Sequence, residues 1–194
     1  MIDKPLETVT FLVTGNIHKF AEARVVLSEF GLSTVMLNVD AVEIQADSVE
    51  RVAEASVMDA VRRCCLPVIV EDAGLFISAL KGFPGPYSSY VFRTIGAEGV
   101  LKLMKNVNDR GAFFESAVAF SVPGWNSSKL FRGRTEGIIM DQMKGHGGFG
   151  YDPIFAPAGG GGKTFAEMSV DVKNRFSHRG KALRAFAEWY LAEF

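Results

Sequence analysis

The chain has 194 residues, of which 48% are hydrophobic and 22% charged, and 21 basic against 22 acidic residues give a formal net charge of −1. This composition is typical of a folded globular protein and excludes a fibrous or disordered chain. The near-neutral charge argues against a protein that holds long nucleic acid by its phosphates, whereas a nucleotide-sized ligand needs only a local cluster of positive groups. We expect a single domain over residues 1–194.

Neither a membrane span nor a disulfide framework is expected. No stretch reaches the roughly 18 apolar residues of a membrane-spanning helix, and residues 1–15 lack the long apolar core of a signal peptide. Cys64 and Cys65 are neighbours on a predicted helix, and we interpret them as buried reduced thiols. The expectation is a soluble, cytoplasmic protein without a membrane partner.

The first half of the chain predicts alternating strands and helices. β-branched and apolar runs predict strands at residues 8–14, 33–40 and 66–71. The first strand ends at Gly15, and a helix then runs to Gly31. Asp47 and Glu50 form a capping pair that opens the second helix. This order predicts an α/β core with parallel strand pairing.

The second half predicts antiparallel pairing and a helical end. Two extended stretches, residues 111–122 and 129–140, are separated by the turn-rich residues 123–128, which suits a hairpin. The sheet is therefore predicted to be mixed. From Ser169 onward the chain is predicted to be helical, with one apolar face made of Leu183, Phe186, Ala187 and Tyr190.

A glycine turn between the first strand and helix predicts a phosphate site. Free backbone N–H groups and the positive dipole end of a helix favour a phosphate, and Lys19 adds a charge while Thr14 and Asn16 add hydrogen bonds. The alternative is a capped strand-to-helix turn with an exposed lysine.

Two adjacent acids, Glu71 and Asp72, stand at the C-terminal end of the third predicted strand, where open α/β sheets bind ligands. Glu43, after the second strand, emerges on the same edge if the strands are parallel. Carboxylates there are costly unless they pair, cap a helix or bind a hard cation such as Mg²⁺. The alternative is that Asp72 caps a turn and Glu43 is a solvated loop acid.

Two further segments carry polar and glycine-rich patterns. A basic cluster opens the last helix and could hold a polyanion, with ordinary surface charge as the alternative; its members are Lys173, Arg175, His178, Arg179 and Lys181. Residues 157–164, PAGGGGKT, nearly match a phosphate-binding P-loop, but Pro157 replaces the first glycine and the strand before it is short. A true P-loop would make Lys163 indispensable and the protein a P-loop NTPase.

Four segments, in this order along the chain, resemble the inosine triphosphate pyrophosphatase family, the Ham1/RdgB-like hydrolases of non-canonical purine nucleotides. They are TGNIHK, VEDAGLFISALKGFPGPYSSY, GGFGYDPIF and KNRFSHRGKAL, and they span residues 14–183. The segments EIQAD and SSYVFRTIG are similar to archaeal-type members. The resemblance implies an α/β fold with an elongated mixed sheet between two helical lobes, a nucleotide cleft between the lobes, and a homodimer.

The resemblance also implies an activity and its residues. The activity is Mg²⁺-dependent hydrolysis of ITP, dITP and XTP to the nucleoside monophosphate and pyrophosphate. Asp72 is implied as the catalytic residue and, with Glu43, as a metal ligand. The implied substrate contacts are Thr14, Gly15, Asn16, Ile17, His18, Lys19, Ala73, Phe149, Gly150, Tyr151, Asp152, Lys173, His178 and Arg179.

Within this set we expect a division of labour. Residues 14–19 and Lys173 hold phosphates, and Phe149 offers a flat ring on which any purine can stack. His178 and Arg179 supply donors that accept a 6-keto purine and reject a 6-amino one. Whether Asp72 is metal ligand, general base or both stays open.

Two positions depart from the family pattern. Ala73 stands where many members carry Ser or Thr, so only its backbone N–H can contact a phosphate. Ser56 stands where many members carry a lysine, which removes one phosphate contact. These departures favour one further alternative, a nucleotide-binding protein without turnover.

Overall fold

A computed structural model of the chain describes residues 8–194, so the first seven residues of the predicted domain lie outside it. The strands are β1 (Thr8–Val13), β2 (Leu32–Leu37), β3 (Val68–Ile77), β4 (Pro84–Gly85), β5 (Gly111–Ser121), β6 (Lys129–Ile139) and β7 (Phe155–Pro157). The α-helices are α1 (Ile17–Ser28), α2 (Val49–Cys64), α3 (Ser88–Thr94), α4 (Gly96–Leu103), α5 (Val170–Phe176) and α6 (His178–Glu193).

The strands form one mixed sheet in the order β2-β1-β3-β5-β6-β7, and β4 pairs with β3 off this path. β1 is parallel to both β2 and β3, whereas β3, β5, β6 and β7 are joined by antiparallel pairing. The β5–β6 hairpin turns at the predicted residues 123–128. The prediction of an α/β fold with a mixed sheet flanked by helices is confirmed.

β3 is longer than predicted, and this changes the position of the two acids. The strand does not end at Glu71 but continues to Ile77, because β5 pairs antiparallel along its whole length. Only Ile69 and Val70 pair with β1. Glu71 and Asp72 therefore lie in the middle of a strand, directly after its parallel part, and strand alternation turns them to opposite faces of the sheet.

Three apolar clusters cover the sheet. α1 and α6 pack on one face, where Leu183, Phe186 and Ala187 are buried and Tyr190 is partly buried, as predicted. α2 packs on the other face against β1, β3 and β5. α3, α4 and the segment around β7 pack on the far end of β3 and β5 and form a second lobe.

Several local expectations need correction. The N-cap of α2 is Ser48, whose hydroxyl accepts the Arg51 N–H, so Asp47 does not cap the helix. Cys64 is half-buried and Cys65 is exposed, and both are free thiols, so only the reduced state was predicted correctly. Within residues 8–194, no helix combines the length and apolar character needed to cross a membrane.

Candidate active site

The turn between β1 and α1 is a capped helix N-terminus. Asn16 Oδ1 accepts the backbone N–H groups of His18 and Lys19 at 2.9 and 3.1 Å. The Thr14 hydroxyl accepts the Asn16 N–H at 3.1 Å. The cap orders the first turn of α1, whose positive dipole end favours a phosphate. Three residues between Thr14 and Lys19 are exposed to solvent: Gly15, Ile17 and His18.

Lys19 points towards the sheet and is only 20% exposed. Its Nζ donates to the Glu71 backbone carbonyl at 3.0 Å and lies 3.1 Å from the Glu71 carboxylate. That carboxylate also accepts from Ser116 Oγ at 2.5 Å and lies 3.1 Å from Arg179 Nε. Although burial raises the pKa of Glu71, these partners outweigh it and hold the pKa well below its usual range.

Glu22 was not among the predicted site residues. Its carboxylate forms ion pairs with Lys173 and Arg179. Its carboxylate contacts Lys173 Nζ at 2.6 Å and Arg179 Nη1 at 2.5 Å, and all three side chains are buried. Glu22 faces inward because it lies in the same helical stripe as Val26, one turn later. That spacing was a readable signal, since an acid inside an apolar stripe requires a buried partner.

Asp152 extends this network to the glycine-rich loop. Its Oδ2 contacts Lys173 Nζ at 2.6 Å and accepts the Phe149 N–H at 2.8 Å. A Cβ on Gly148 would collide with that carboxylate, and Gly148 has a φ of +69°. Asp152 thus fixes the loop that presents Phe149. A buried charge chain results, in the order Asp152, Lys173, Glu22, Arg179, Glu71 and Lys19.

Phe149 lies between α1 and the charge chain. Its ring stacks on His18 with centroids 5.3 Å apart and planes inclined by 14°. Lys173 Nζ lies 4.8 Å and Arg179 Cζ 5.4 Å from the ring centroid. The structure therefore brings together residues from three of the predicted segments, and places cations over an aromatic face.

His178 and Arg179 are not ordinary surface charges, because they are 2% and 3% exposed. The His178 ring stacks on Phe114 with centroids 4.5 Å apart. Burial, aided by the Arg179 charge, lowers the pKa of His178 well below its usual value, so the ring is neutral at pH 7. Among the described residues, His178 Nδ1 has no hydrogen-bond partner. Two members of the predicted cluster are exposed: Arg175 and Lys181.

β6 supports the turn that carries these two residues. Ser177 ends α5 and caps α6, its hydroxyl accepting the Gly180 N–H. Thr135 Oγ1 donates to the Phe176 carbonyl at 2.5 Å. A side chain on Gly133 would collide with the His178 carbonyl, so only glycine allows α6 to approach β6 so closely.

Asp72 lies on the opposite face of β3, towards α2. Its Oδ2 is buried and has no hydrogen-bond partner among residues 8–194. Burial raises the pKa of Asp72 to about 6; the Lys19 charge opposes this shift, and the charges of Glu71 and Glu43 add to it. A buried oxygen without a partner is a ready ligand for a hard cation or acceptor for a proton.

Glu43 is exposed in the loop between β2 and α2, and its negative charge adds to the raised pKa of Asp72. In the described part of the chain, no group of three or more His, Cys, Asp or Glu side chains is arranged to hold a metal. A carboxylate pair suits Mg²⁺, which commonly takes one or two carboxylates and completes its shell with water and phosphate oxygens.

The remaining predicted contacts have different surroundings. Tyr151 is buried in the second lobe, and its hydroxyl donates to the Ser88 carbonyl at 3.1 Å. Ala73 pairs with Ser116 within the sheet. Gly150 faces open space at a φ of +61°. Beside Phe149, a groove of about 470 Å³ runs between the glycine-rich loop and the start of α4, which is room for a nucleoside.

The segment at residues 157–164 does not form a P-loop. It follows the three-residue strand β7 as a turn and leads into a single 3₁₀ turn, Phe165–Glu167, capped by Thr164. A P-loop needs a full helix whose N-terminus faces the phosphates. The P-loop alternative is therefore not favoured.

A model of the Ham1 family matches residues 10–189. The chain is 48% identical over 179 residues to the dITP/XTP pyrophosphatase of Pyrococcus horikoshii, covering 92% of this chain and 95% of that protein. It is 48% identical over 177 residues to the dITP/XTP pyrophosphatase of Methanopyrus kandleri, covering 91% and 93%. The solved HAM1 protein from Coxiella burnetii is similar with a TM-score of 0.83 at 28% identity, covering 96% of this chain and 100% of that chain. The chain therefore belongs to the Ham1 family.

Proposed function

We propose that this protein hydrolyses the non-canonical purine nucleoside triphosphates ITP, dITP and XTP to the nucleoside monophosphate and pyrophosphate. Two observations together carry the proposal. The buried Asp72 Oδ2 has no hydrogen-bond partner among the described residues, and two cations, Lys173 of α5 and Arg179 of α6, lie beside the ring of Phe149. The names of the archaeal relatives, which match over more than nine-tenths of this chain, support it.

The charge of the cleft supports a requirement for a divalent cation, and we propose Mg²⁺. The cations are Lys19, Lys173 and Arg179, and the carboxylates are those of Glu22, Glu43, Glu71, Asp72 and Asp152. A triphosphate beside this excess of negative charge needs further positive charge. Asp72 and Glu43 would hold the ion, which polarises a phosphoryl group and lowers the pKa of a bound water.

The residues of the chain supply the rest of the chemistry. The α–β anhydride bond breaks, pyrophosphate leaves with the bonding electrons, and water adds its oxygen to phosphorus. We assign to Asp72 the acceptance of the water proton, because its buried Oδ2 has no hydrogen-bond partner among the described residues and can accept one. Lys19 and the α1 N-terminus, formed by residues 14–19, bind the phosphates and stabilise the leaving group.

We assign base selection to Arg179 of the charge chain and to the neighbouring His178. Phe149 stacks on the purine without distinguishing one purine from another. His178 is neutral and keeps one ring N–H, and Arg179 keeps several donors, so both favour a 6-keto acceptor over a 6-amino donor. We assign four further residues to this edge of the purine: Lys173, Asp152, and Gly150 and Tyr151 through their backbone.

Three broader proposals accompany this activity. The chain acts as one two-lobed domain, it works as a homodimer, and it works in the cytoplasm, where the nucleotide pool requires cleansing. The resemblance of its motifs to the family supports the first two as family expectations.

Turnover of a nucleotide panel tests the proposal. With Mg²⁺ present, ITP, dITP and XTP should be hydrolysed with a kcat/KM at least about a hundredfold above that for ATP, which carries a 6-amino group. Equal rates on all four nucleotides would remove the assigned specificity. Tight nucleotide binding without any turnover would leave a binding protein in place of an enzyme.

A further inference from the structure

The loop that carries Glu43 is tied to α2 through the backbone of the preceding residue. The Val42 N–H donates to Asp59 Oδ2 at 2.9 Å, and the Val42 carbonyl accepts from Ser56 Oγ at 3.0 Å. Both partners lie on one face of α2, three residues apart. The Val42 side chain is 49% exposed, so its backbone, and not its packing, connects it to the helix.

The two α2 side chains are themselves held in place. Ser56 is 4% exposed on the buried face of α2. Asp59 is oriented by Arg63, whose Nε lies 2.6 Å from the same Oδ2 atom. The Val42 backbone is therefore bound to a buried hydroxyl and an ion-paired carboxylate, on a helix whose apolar face packs against the sheet.

The same helix packs over the strand that carries Asp72. The apolar cluster under α2 contains Val70 of β3 and Ala117 of β5, and Ala41 of the loop packs against it. Asp72 is paired with Ala117 across the β3–β5 ladder. The two bonds to Val42 thus fix the loop above the part of the sheet from which Asp72 points.

We propose that Ser56 and Asp59 are positioning residues that hold Glu43 opposite Asp72, so that both carboxylates reach one divalent cation. This inference rests on the metal site assigned above. Mg²⁺ demands near-ideal ligand geometry, and an exposed loop acid meets that demand only if its backbone is fixed. In this arrangement the Ser56 hydroxyl orients a carboxylate through the backbone of the loop.

Mn²⁺ titration followed by electron paramagnetic resonance, without nucleotide, tests the inference. Ser56→Ala should weaken Mn²⁺ binding by about threefold to tenfold, the cost of one hydrogen bond. Ser56→Thr keeps the hydroxyl and should restore the affinity. Asp59→Ala should also weaken Mn²⁺ binding. Because the Asp59 side chain is partly exposed, this variant should fold even if Ser56→Ala does not. Ser28→Ala is the matched control, because the Ser28 hydroxyl also donates to a backbone carbonyl but lies on α1.

A double-mutant cycle with Glu43→Gln separates positioning from general stability. If Ser56 acts through Glu43, Ser56→Ala should cost nothing further in the Glu43→Gln background. The apparent Mg²⁺ constant for ITP hydrolysis should rise in parallel, with kcat at saturating Mg²⁺ close to that of the unmodified protein.

Four results would each overturn the inference. They are an unchanged Mn²⁺ affinity in Ser56→Ala and Asp59→Ala, an additive cycle, no effect of Glu43→Gln on Mn²⁺ binding, and absence of Mn²⁺ binding by the unmodified protein. If ITP is hydrolysed while the cycle is additive, the positioning role fails and the proposed function stands. If the cycle is non-additive while no nucleotide is hydrolysed, the positioning role stands and the proposed function fails.

Discussion

The two sides of the cleft satisfy their polar groups in opposite ways. On the α6 side, each charge of the chain from Asp152 to Lys19 is paired with another within the protein. On the α2 side, Asp72 keeps an unpartnered oxygen and Glu43 is exposed. The first side is preorganised by internal ion pairs, which fix the positions of the groups that we assign to base recognition. To the second side, which keeps these polar groups free, we assign the metal ion and the acceptance of the water proton.

We expect the largest effect on turnover from the removal of the Asp72 carboxylate. Asp72→Asn keeps the size of the side chain but cannot accept a proton, so kcat for ITP should fall by about 10²–10⁴-fold. Because burial makes the ionised Asp72 costly, the melting temperature should not fall. Steady-state kinetics and thermal unfolding measure both, with the exposed Asp141→Asn as control. Full activity in Asp72→Asn would remove this residue from the mechanism.

On the paired side, loss of one carboxylate should cost stability. Glu22→Gln leaves Lys173 and Arg179 buried without their shared partner, and unfolding should become easier by about 3–5 kcal/mol. The control is Glu29→Gln, which breaks the exposed ion pair with Arg184 and should cost at most about 1 kcal/mol. Urea denaturation of both variants decides the matter. Equal losses of stability in the two variants would show that a buried carboxylate of the charge chain contributes no more than an exposed one.

Base preference should depend on the paired side alone. Arg179→Ala removes a charged donor from the purine edge, and the preference for ITP over ATP should shrink by about tenfold to a hundredfold. The measurement is the ratio of kcat/KM for the two nucleotides, with Arg184→Ala as control. If the ratio survives intact in Arg179→Ala, the assignment of base recognition to this residue is wrong.

The smallest effect on preference should come from Phe149. Phe149→Ala removes the stacking face, so KM for ITP and ATP should rise together by about threefold to tenfold. Phe149→Trp keeps an aromatic face and should keep affinity. A loss confined to one of the two nucleotides would show that the ring takes part in base selection.

The sequence predicted the elements of this fold well and the connections of its site less completely. Glycine turns and the hairpin are local signals, so β1, β2, β5, β6 and the first two helices were predicted with small errors at their ends, whereas α3 and α4 were not predicted. The length of β3 depended on β5, which is distant in sequence, and so the position of Glu71 and Asp72 on opposite faces was not predicted. Glu22 was missed for a related reason, because its partners Lys173 and Arg179 are about 150 residues away.

The identity of the products is the most direct test of the proposed cleavage of the α–β anhydride bond. Incubation of the protein with ITP and Mg²⁺, followed by phosphorus nuclear magnetic resonance, distinguishes cleavage of the α–β bond from cleavage of the β–γ bond. We expect inosine monophosphate and pyrophosphate in equal amounts, and no inorganic phosphate. Inosine diphosphate together with inorganic phosphate would contradict it.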